Sequence, residues 1–345
     1  MTPNGQQRST HLGPDGRFRN PWPNSEPHRL GAILRWARER RSRRPPPSPA
    51  RGSFPTAAPA ISNPRGGSGD FTATWIGHST ALLQIGGLNV LTDPVFSERA
   101  FPLQWMGPRR IMDPGIAIDA LPPLDVVLLS HNHYDHLDRP AVKRIASAHP
   151  TATWIVPLRL GRYLRPWGAR DIIELDWWQE AESRGLRVTA TPARHFSARR
   201  AGDRNRTLWC GFAFAREGIR GWFAGDTAYH PEFAEIGARC GPFVLVMIPI
   251  GAYEPRWFME RVHVDPEDAV RIYQDVSAAH PAHRSPLMLG IHWGTFRLTD
   301  EAMDEPPRRT KEVWRERGLN EDRLWIARFG ETRSVSNGPV PPMSR

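Results

Sequence analysis

Cysteine is nearly absent: Cys210 and Cys240 are the only two in 345 residues. Two thiols cannot build a disulfide scaffold or a four-thiolate zinc site. Lysine is as scarce, with Lys143 and Lys311 alone, so the basic charge is almost wholly arginine. Long apolar runs are missing as well. A membrane-spanning helix needs about 20 consecutive apolar residues. The longest charge-free stretch, Phe71 to Thr92, is broken by Gly77, His78, Ser79, Gln84 and Gly86-Gly87, and reads as strands and turns. Met1 to Asn20 contains no apolar segment of the secretory kind. A cytoplasmic protein, with peripheral membrane association as the one departure, is the expectation.

The charge that is present is unevenly placed. Residues 1–70 hold twelve arginines against four acids, which is +8 of the formal +10 and leaves +2 for the other 275 residues. Phosphate contacts along nucleic acid need concentrated positive charge, so nucleic acid is not expected as a partner of that near-neutral remainder. Twelve of the thirty-five prolines also fall in 1–70. Chain of this kind buries too little apolar area to offset its ordering entropy. The division expected is a basic Pro/Arg-rich N-terminal arm over 1–70, with a flexible linker from Arg43 to Gly69, and one catalytic domain over 71–345. Inside the arm, Leu30, Ile33, Leu34 and Ala37 share one helical face among arginines. Such a helix can lie on an anionic membrane surface. It can equally dock on its own domain or stay solvated.

From Phe71 onward, short apolar runs alternate with helical patterns, which predicts an α/β domain. Strands are expected at Phe71–Ile76, Ala81–Ile85, Leu88–Leu91, Val126–Leu129, Trp154–Val156, Leu186–Thr191, Trp209–Ala215, Gly221–Ala224, Phe243–Ile248, Leu287–Ile291 and Leu324–Arg328. Helices are expected at Pro140–Ala148, Pro266–Val276 and Arg309–Glu316. Gly86-Gly87 marks a hairpin.

The chemistry concentrates at Ser130-His131-Asn132-His133-Tyr134-Asp135-His136, directly after the buried-type run Val126 to Leu129. Imidazole and carboxylate are ligands that suit zinc or iron. A turn after a strand can aim His131 and His133 at one metal and Asp135 and His136 at a second. Further ligands are expected at other strand ends: His195 after Leu186 to Arg194, Asp226 after Gly221 to Gly225, and His292 after Leu287 to Ile291. His78 and Asp93 are candidates to hydrogen-bond the ligands from behind.

These residues, in this order, resemble the metallo-β-lactamase superfamily of binuclear hydrolases. The stretches Trp75-Ile76-Gly77-His78-Ser79-Thr80, Thr92-Asp93-Pro94-Val95-Phe96-Ser97, Pro249-Ile250-Gly251-Ala252-Tyr253-Glu254-Pro255-Arg256-Trp257-Phe258 and His292-Trp293-Gly294-Thr295-Phe296 sharpen the likeness. They are similar to the branch of phospholipases D that hydrolyse N-acylphosphatidylethanolamine. The resemblance implies an αββα sandwich of two mixed β-sheets flanked by helices. It implies two Zn2+ per chain, one on His131, His133 and His195, the other on Asp135, His136 and His292, with Asp226 bridging. Catalytic parts fall to Asp135, Asp226 and His263, and substrate contacts to His78, Tyr253, Trp257, Phe258 and Trp293. The reaction implied is attack of a metal-bridging hydroxide on the phosphodiester, releasing N-acylethanolamine and phosphatidic acid. Phospholipid is then the partner, with membrane contact through the basic helix, and a homodimer is left open. The alternatives are a sugar-phosphate lactone or RNA phosphodiester as substrate, or a non-catalytic protein that binds anionic surfaces.

Overall fold

The computed structural model describes residues 11–26, 28, 30–280 and 285–335. Two mixed sheets of seven strands each make its centre. The first runs β14 (Thr332–Ser334), β1 (Phe71–Gly77), β2 (Thr80–Ile85), β3 (Leu88–Thr92), β4 (Val126–Leu128), β5 (Thr153–Pro157), β6 (Asp171–Leu175). The second runs β13 (Leu324–Trp325), β12 (Leu287–Ile291), β11 (Leu245–Pro249), β10 (Ile219–Phe223), β9 (Gly211–Arg216), β8 (Leu186–Thr191), β7 (Glu180–Ser183). In each sheet one half pairs antiparallel and the other parallel. The hairpin at Gly86-Gly87 forms as expected, with both glycines at positive φ (51° and 77°) as the tight turn requires.

The apolar runs are continuous because each central strand is covered on both faces. Along β4, Val126 and Leu128 enter the core between the sheets. Val127 and the following Leu129 face outward onto α2 (Arg139–Ala148) and α3 (Gly161–Leu164), packing with Val142, Ile145 and Leu164. The second sheet is covered by α4 (Phe233–Cys240), α6 (Pro266–Ser277) and α7 (Glu305–Glu316), through side chains such as Phe233, Ile272 and Trp314. The order helix, sheet, sheet, helix is the sandwich that the resemblance implied.

Three strands and several helices lie outside the expected set. The strands β6, β7 and β14 sit at or beside sheet edges, and their exposed, charged positions give no apolar run to read. The helices α3, α4 and α5 (Arg256–Met259) are short, and the period of 3.6 residues needs more than two turns to show.

The arm has structure of its own. Its helix, α1, spans Leu30–Ser42. Phe18 is fully buried in the main core. Residues 43–69, expected as a linker, are held along the domain. Thr56 pairs with Phe329 in a parallel bridge, Ala60 N donates to Thr332 Oγ1, Ser62 N donates to Gln84 Oε1, and Arg65 pairs with the buried Asp125. Proline prevents neither bridge nor extended path, because it fixes φ near the extended value and removes only its own donor.

Close approach of α4 to α6 rests on one residue. A Cβ at Gly237 would lie 2.2 Å from the backbone oxygen of Val276. Alanine raises helix propensity by up to about 1 kcal/mol over glycine, but forced overpacking costs about 1–3 kcal/mol. Gly237→Ala is therefore expected to lower stability by about 1–2 kcal/mol in denaturant titration. A stabilised variant would show that the helices have room.

Candidate metal centre

Every residue expected as a ligand lies just beyond the C-terminal end of a strand, and the strand ends meet. β4 delivers His131 to His136, β8 delivers His195, β10 delivers Asp226, and β12 delivers His292. The turns are tight. His78, Asp93 and His292 have positive φ (54°, 29° and 63°), a conformation that non-glycine residues adopt only under constraint. Gly225, before Asp226, is also left-handed, and a Cβ there would sit 2.9 Å from both Cys210 O and Ser130 Cβ.

Two groups of donors result. In the first, His133 Nδ1 lies 2.9 Å from His131 Nε2 and 3.1 Å from His195 Nε2. Those separations are near the edge of about 3.3 Å expected for a tetrahedron of nitrogens around zinc. In the second, Asp135 Oδ2 lies 3.4 Å from both His136 Nε2 and His292 Nε2. Asp226 Oδ2 stands between them, 3.8 Å from His131 and His195 and 3.1 Å from His136 and His292. One carboxylate oxygen thus faces four imidazoles.

The outward ring atoms fix which nitrogens face inward. His136 Nδ1 donates to Asp93 Oδ2 at 2.6 Å, and His195 Nδ1 donates to Val262 O at 2.8 Å. Ser130 Oγ donates to Asp93 Oδ2 at 2.6 Å, so it receives from His131 Nδ1 at 2.9 Å. Each ring therefore turns its Nε2 toward the cluster, the atom that binds a cation. Burial opposes charge on His136 and His292, but Asp226 and Asp135 outweigh it, raising His136 well above the ordinary value and His292 to about 9. Burial holds His131 well below the ordinary histidine value, His133 at about 3 and His195 at about 4, so the first group is neutral. Burial opposes charge at Asp135 and Asp226 too, but the neighbouring imidazoles outweigh it and keep both carboxylates well below their usual range.

The donor set fits a metal. His136 Nε2, His292 Nε2 and Asp226 Oδ1 are buried without a hydrogen-bond partner, although the histidines stand at ion-pair distance from Asp226. Such orphaned atoms are rare unless an ion satisfies them. His133, Asp135 and His263 are partly exposed and mark the open side of the cluster.

The other expected residues are placed as follows. His78 Nε2 donates to Asp135 Oδ2 at 3.0 Å and shares the second group of donors. His263 joins His195 and Asp226, with ring centroids 5.0 Å from His195 and 5.3 Å from His292. Tyr253 and Trp293 are not brought to the opening: Tyr253 is fully buried and bonded to Glu305, and Trp293 stacks on Trp75. Trp257 and Phe258 are covered by the arm. Trp257 donates to Glu39 and lies under Arg35, while Phe258 packs on His28 and Trp36. Two supports escaped the sequence reading. Phe196 packs on the rings of His133 and His195. Arg199 donates to Asn132 O and Leu137 O and so clamps the loop that carries the ligands. Only its position four residues beyond His195 hinted at it.

A two-sheet sandwich with a His/Asp cluster at converging strand ends defines a class, the metal-dependent hydrolases. The beta-lactamase superfamily domain matches residues 88–293, and the chain belongs to that family, the metallo-β-lactamase superfamily. An uncharacterized protein of Mycobacterium tuberculosis is 44% identical over 258 residues, covering 74% of this chain and 67% of that one. The N-acyl-phosphatidylethanolamine-hydrolyzing phospholipase D 1 of Caenorhabditis elegans is 40% identical over 252 residues, covering 70% of this chain and 69% of that protein. Among solved structures, Igni18, a metallo hydrolase from Ignicoccus hospitalis, matches with a TM-score of 0.59 at 20% identity, over 77% of this chain and 99% of that one. That likeness concerns the fold.

Asp93 touches no inward-facing atom yet orients His136 and, through Ser130, His131. Loss of such a partner commonly weakens metal affinity about 10–100-fold. Asp93→Asn is expected to lose metal to a competing chelator at 10–100-fold lower chelator concentration than the parent, read by elemental analysis. Equal retention would refute the supporting role.

Proposed function

We propose that this centre hydrolyses the phosphodiester of N-acylphosphatidylethanolamine-like phospholipids, releasing N-acylethanolamine and phosphatidic acid. The observation that carries the substrate class is the 40% identity to a relative whose name states that hydrolysis. The donor set supports the reaction type. His131, His133 and His195 would hold one zinc ion, Asp135, His136 and His292 a second, and Asp226 would lie between. Bound there, the pair supplies Lewis acidity toward phosphoryl oxygens and a water of lowered pKa.

The chain's own residues do the rest. Asp226, whose Oδ1 is buried without a partner among the protein atoms, would offer its carboxylate to both ions. His78 keeps Asp135 in place through its hydrogen bond. His263 is beside Asp226 and His195 on the open side, with a buried Nδ1 that has no partner. Burial holds it well below the ordinary histidine value, so its part in this reading is that of a neutral imidazole hydrogen-bonding a phosphoryl or leaving oxygen. Its backbone is fixed by Arg256, whose Nη1 donates to His263 O at 2.9 Å. Membrane contact through α1 belongs to the same reading: Ile33 and Leu34 of its expected apolar face are exposed, and Trp36 faces the domain instead. Among the described residues no helix is long and apolar enough to cross a membrane.

The assay is zinc-loaded protein on vesicles containing labelled N-acylphosphatidylethanolamine. N-Acylethanolamine is the expected product, abolished in Asp226→Asn. His263→Gln should lower kcat about 10²–10³-fold, as loss of a hydrogen-bond donor to developing charge does. Release of free fatty acid, or full turnover by Asp226→Asn, would overturn the assignment.

A further inference from the structure

Among the described residues, large exposed apolar side chains are few and clustered. Leu12 stands alone, Ile33 and Leu34 belong to α1, and Leu103, Trp105 and Met106 share one loop between β3 and β4. Trp105 is the most open of them, at 74% exposure. Monomeric proteins seldom leave such a group together without a use for it.

The loop is built to hold these side chains outward. Arg99 N donates to Gln104 Oε1 at 3.0 Å, and Gln104 Nε2 returns bonds to Arg99 O and Phe101 O at 3.2 and 2.9 Å. Arg99 Nη1 donates to Gly107 O at 2.6 Å, and Arg99 pairs with Arg109 across the base in an antiparallel bridge. The one amide side chain and several backbone groups are thus satisfied within the loop. The amide of Gln104 is folded back on the loop's own backbone, and leucine, tryptophan and methionine face solvent beside it.

Charge lies beside the apolar tip. The loop borders an open cleft of about 630 Å³ whose walls include Arg139, Lys143, Arg144 and Arg200, with Asp138, Phe101 and Tyr134 among them. Arg144 pairs with Asp119. Arg139, Lys143 and Arg200 are exposed and have no carboxylate at ion-pair distance among the described residues. Phe101 and Tyr134 rings are 6.1 Å apart, and Tyr134 is the residue between the ligands His133 and Asp135. The patch therefore abuts the metal centre.

We propose that the loop Arg99–Arg109 is a membrane anchor: Leu103, Trp105 and Met106 enter the interface of an anionic phospholipid bilayer while Arg139, Lys143 and Arg200 meet lipid phosphates. Apolar area and cation attraction act together in such docking, and tryptophan suits the headgroup boundary. The charge complementarity selects a bilayer as the occupant, since an apolar protein surface would leave three unpaired cations facing it. The link to catalysis rests on the phospholipid reading above, whereas the docking itself does not.

The test is flotation of the full chain with vesicles of phosphatidylcholine alone and of phosphatidylcholine mixed with phosphatidylglycerol, with no N-acyl lipid in either. The parent should float with the mixed vesicles preferentially. L103S/W105S/M106S should weaken that binding about tenfold or more, and K143E/R200E should remove the preference for phosphatidylglycerol. The single variant W105S, altering only the most exposed side chain, should weaken flotation with an unchanged Tm. Turnover of a short-chain monomeric substrate should stay within about twofold in the loop variants, as expected when docking rather than chemistry is lost. Flotation unaltered by the triple variant overturns the proposal. So does loss of self-association in the triple variant with flotation unchanged, which would make the patch a contact between copies. A chain that floats as expected yet releases nothing from N-acyl lipid upholds the anchor and refutes the substrate.

Discussion

Burial of a carboxylate among imidazoles is the constraint on which the rest of this structure depends. Taking an ion out of water costs several kcal/mol even after relaxation. Asp226 stands in that position, 3% exposed, with Asp135 beside it. At an effective dielectric of about 20, one positive charge 3.1 Å from Asp226 Oδ2 returns about 5 kcal/mol. A single neighbour only balances the cost. Several are needed for a margin, and they must come from segments far apart in sequence. The two-sheet sandwich does this by ending β4, β8, β10 and β12 along one edge.

Bringing those ends together strains the backbone at the same places. A left-handed non-glycine residue costs about 1–3 kcal/mol, and His78, Asp93 and His292 each adopt that conformation. The strain has work to do. It reverses the chain directly after an extended run, so that a side chain projects over the strand end and not along it. His292 N donates to His78 O at 3.0 Å, joining a turn of one sheet to a turn of the other. The ligands are held as one unit across the sandwich, which is why packing far from the cluster can govern its geometry.

The cluster was legible in the sequence because its ligands follow strands buried on both faces, and such strands announce themselves as apolar runs. Val126 to Leu129 before His131 and Leu287 to Ile291 before His292 are of this kind. The supports were less legible. Phe196 directly follows His195 and Arg199 lies four residues beyond it, but nothing in their residue types announces the contacts they make. The arm misled for a further reason. Its composition says little can be buried, and among its described residues only Phe18 and Ser25 are. Yet a proline-rich segment needs only backbone partners to lie still, and Thr56, Ala57 and Ala60 find them along the final strands. Composition speaks to cores, not to straps.

The arm's arginines bear on how its charge is to be understood. Arg17 donates to backbone carbonyls of the 202–204 loop, Arg51 pairs with Glu98 and Asp113, Arg40 pairs with Asp300, and Arg65 pairs with Asp125. An exposed ion pair contributes at most about 1 kcal/mol; the buried Asp125 makes the Arg65 pair the stronger one. The rigid fork of donors suits arginine to this stapling, where lysine would offer a single mobile charge. A cation engaged with its own domain is poorly placed to recruit an anionic surface. The arm's net charge is thus a weak guide to a partner, and the few cations without carboxylates are the ones that point outward.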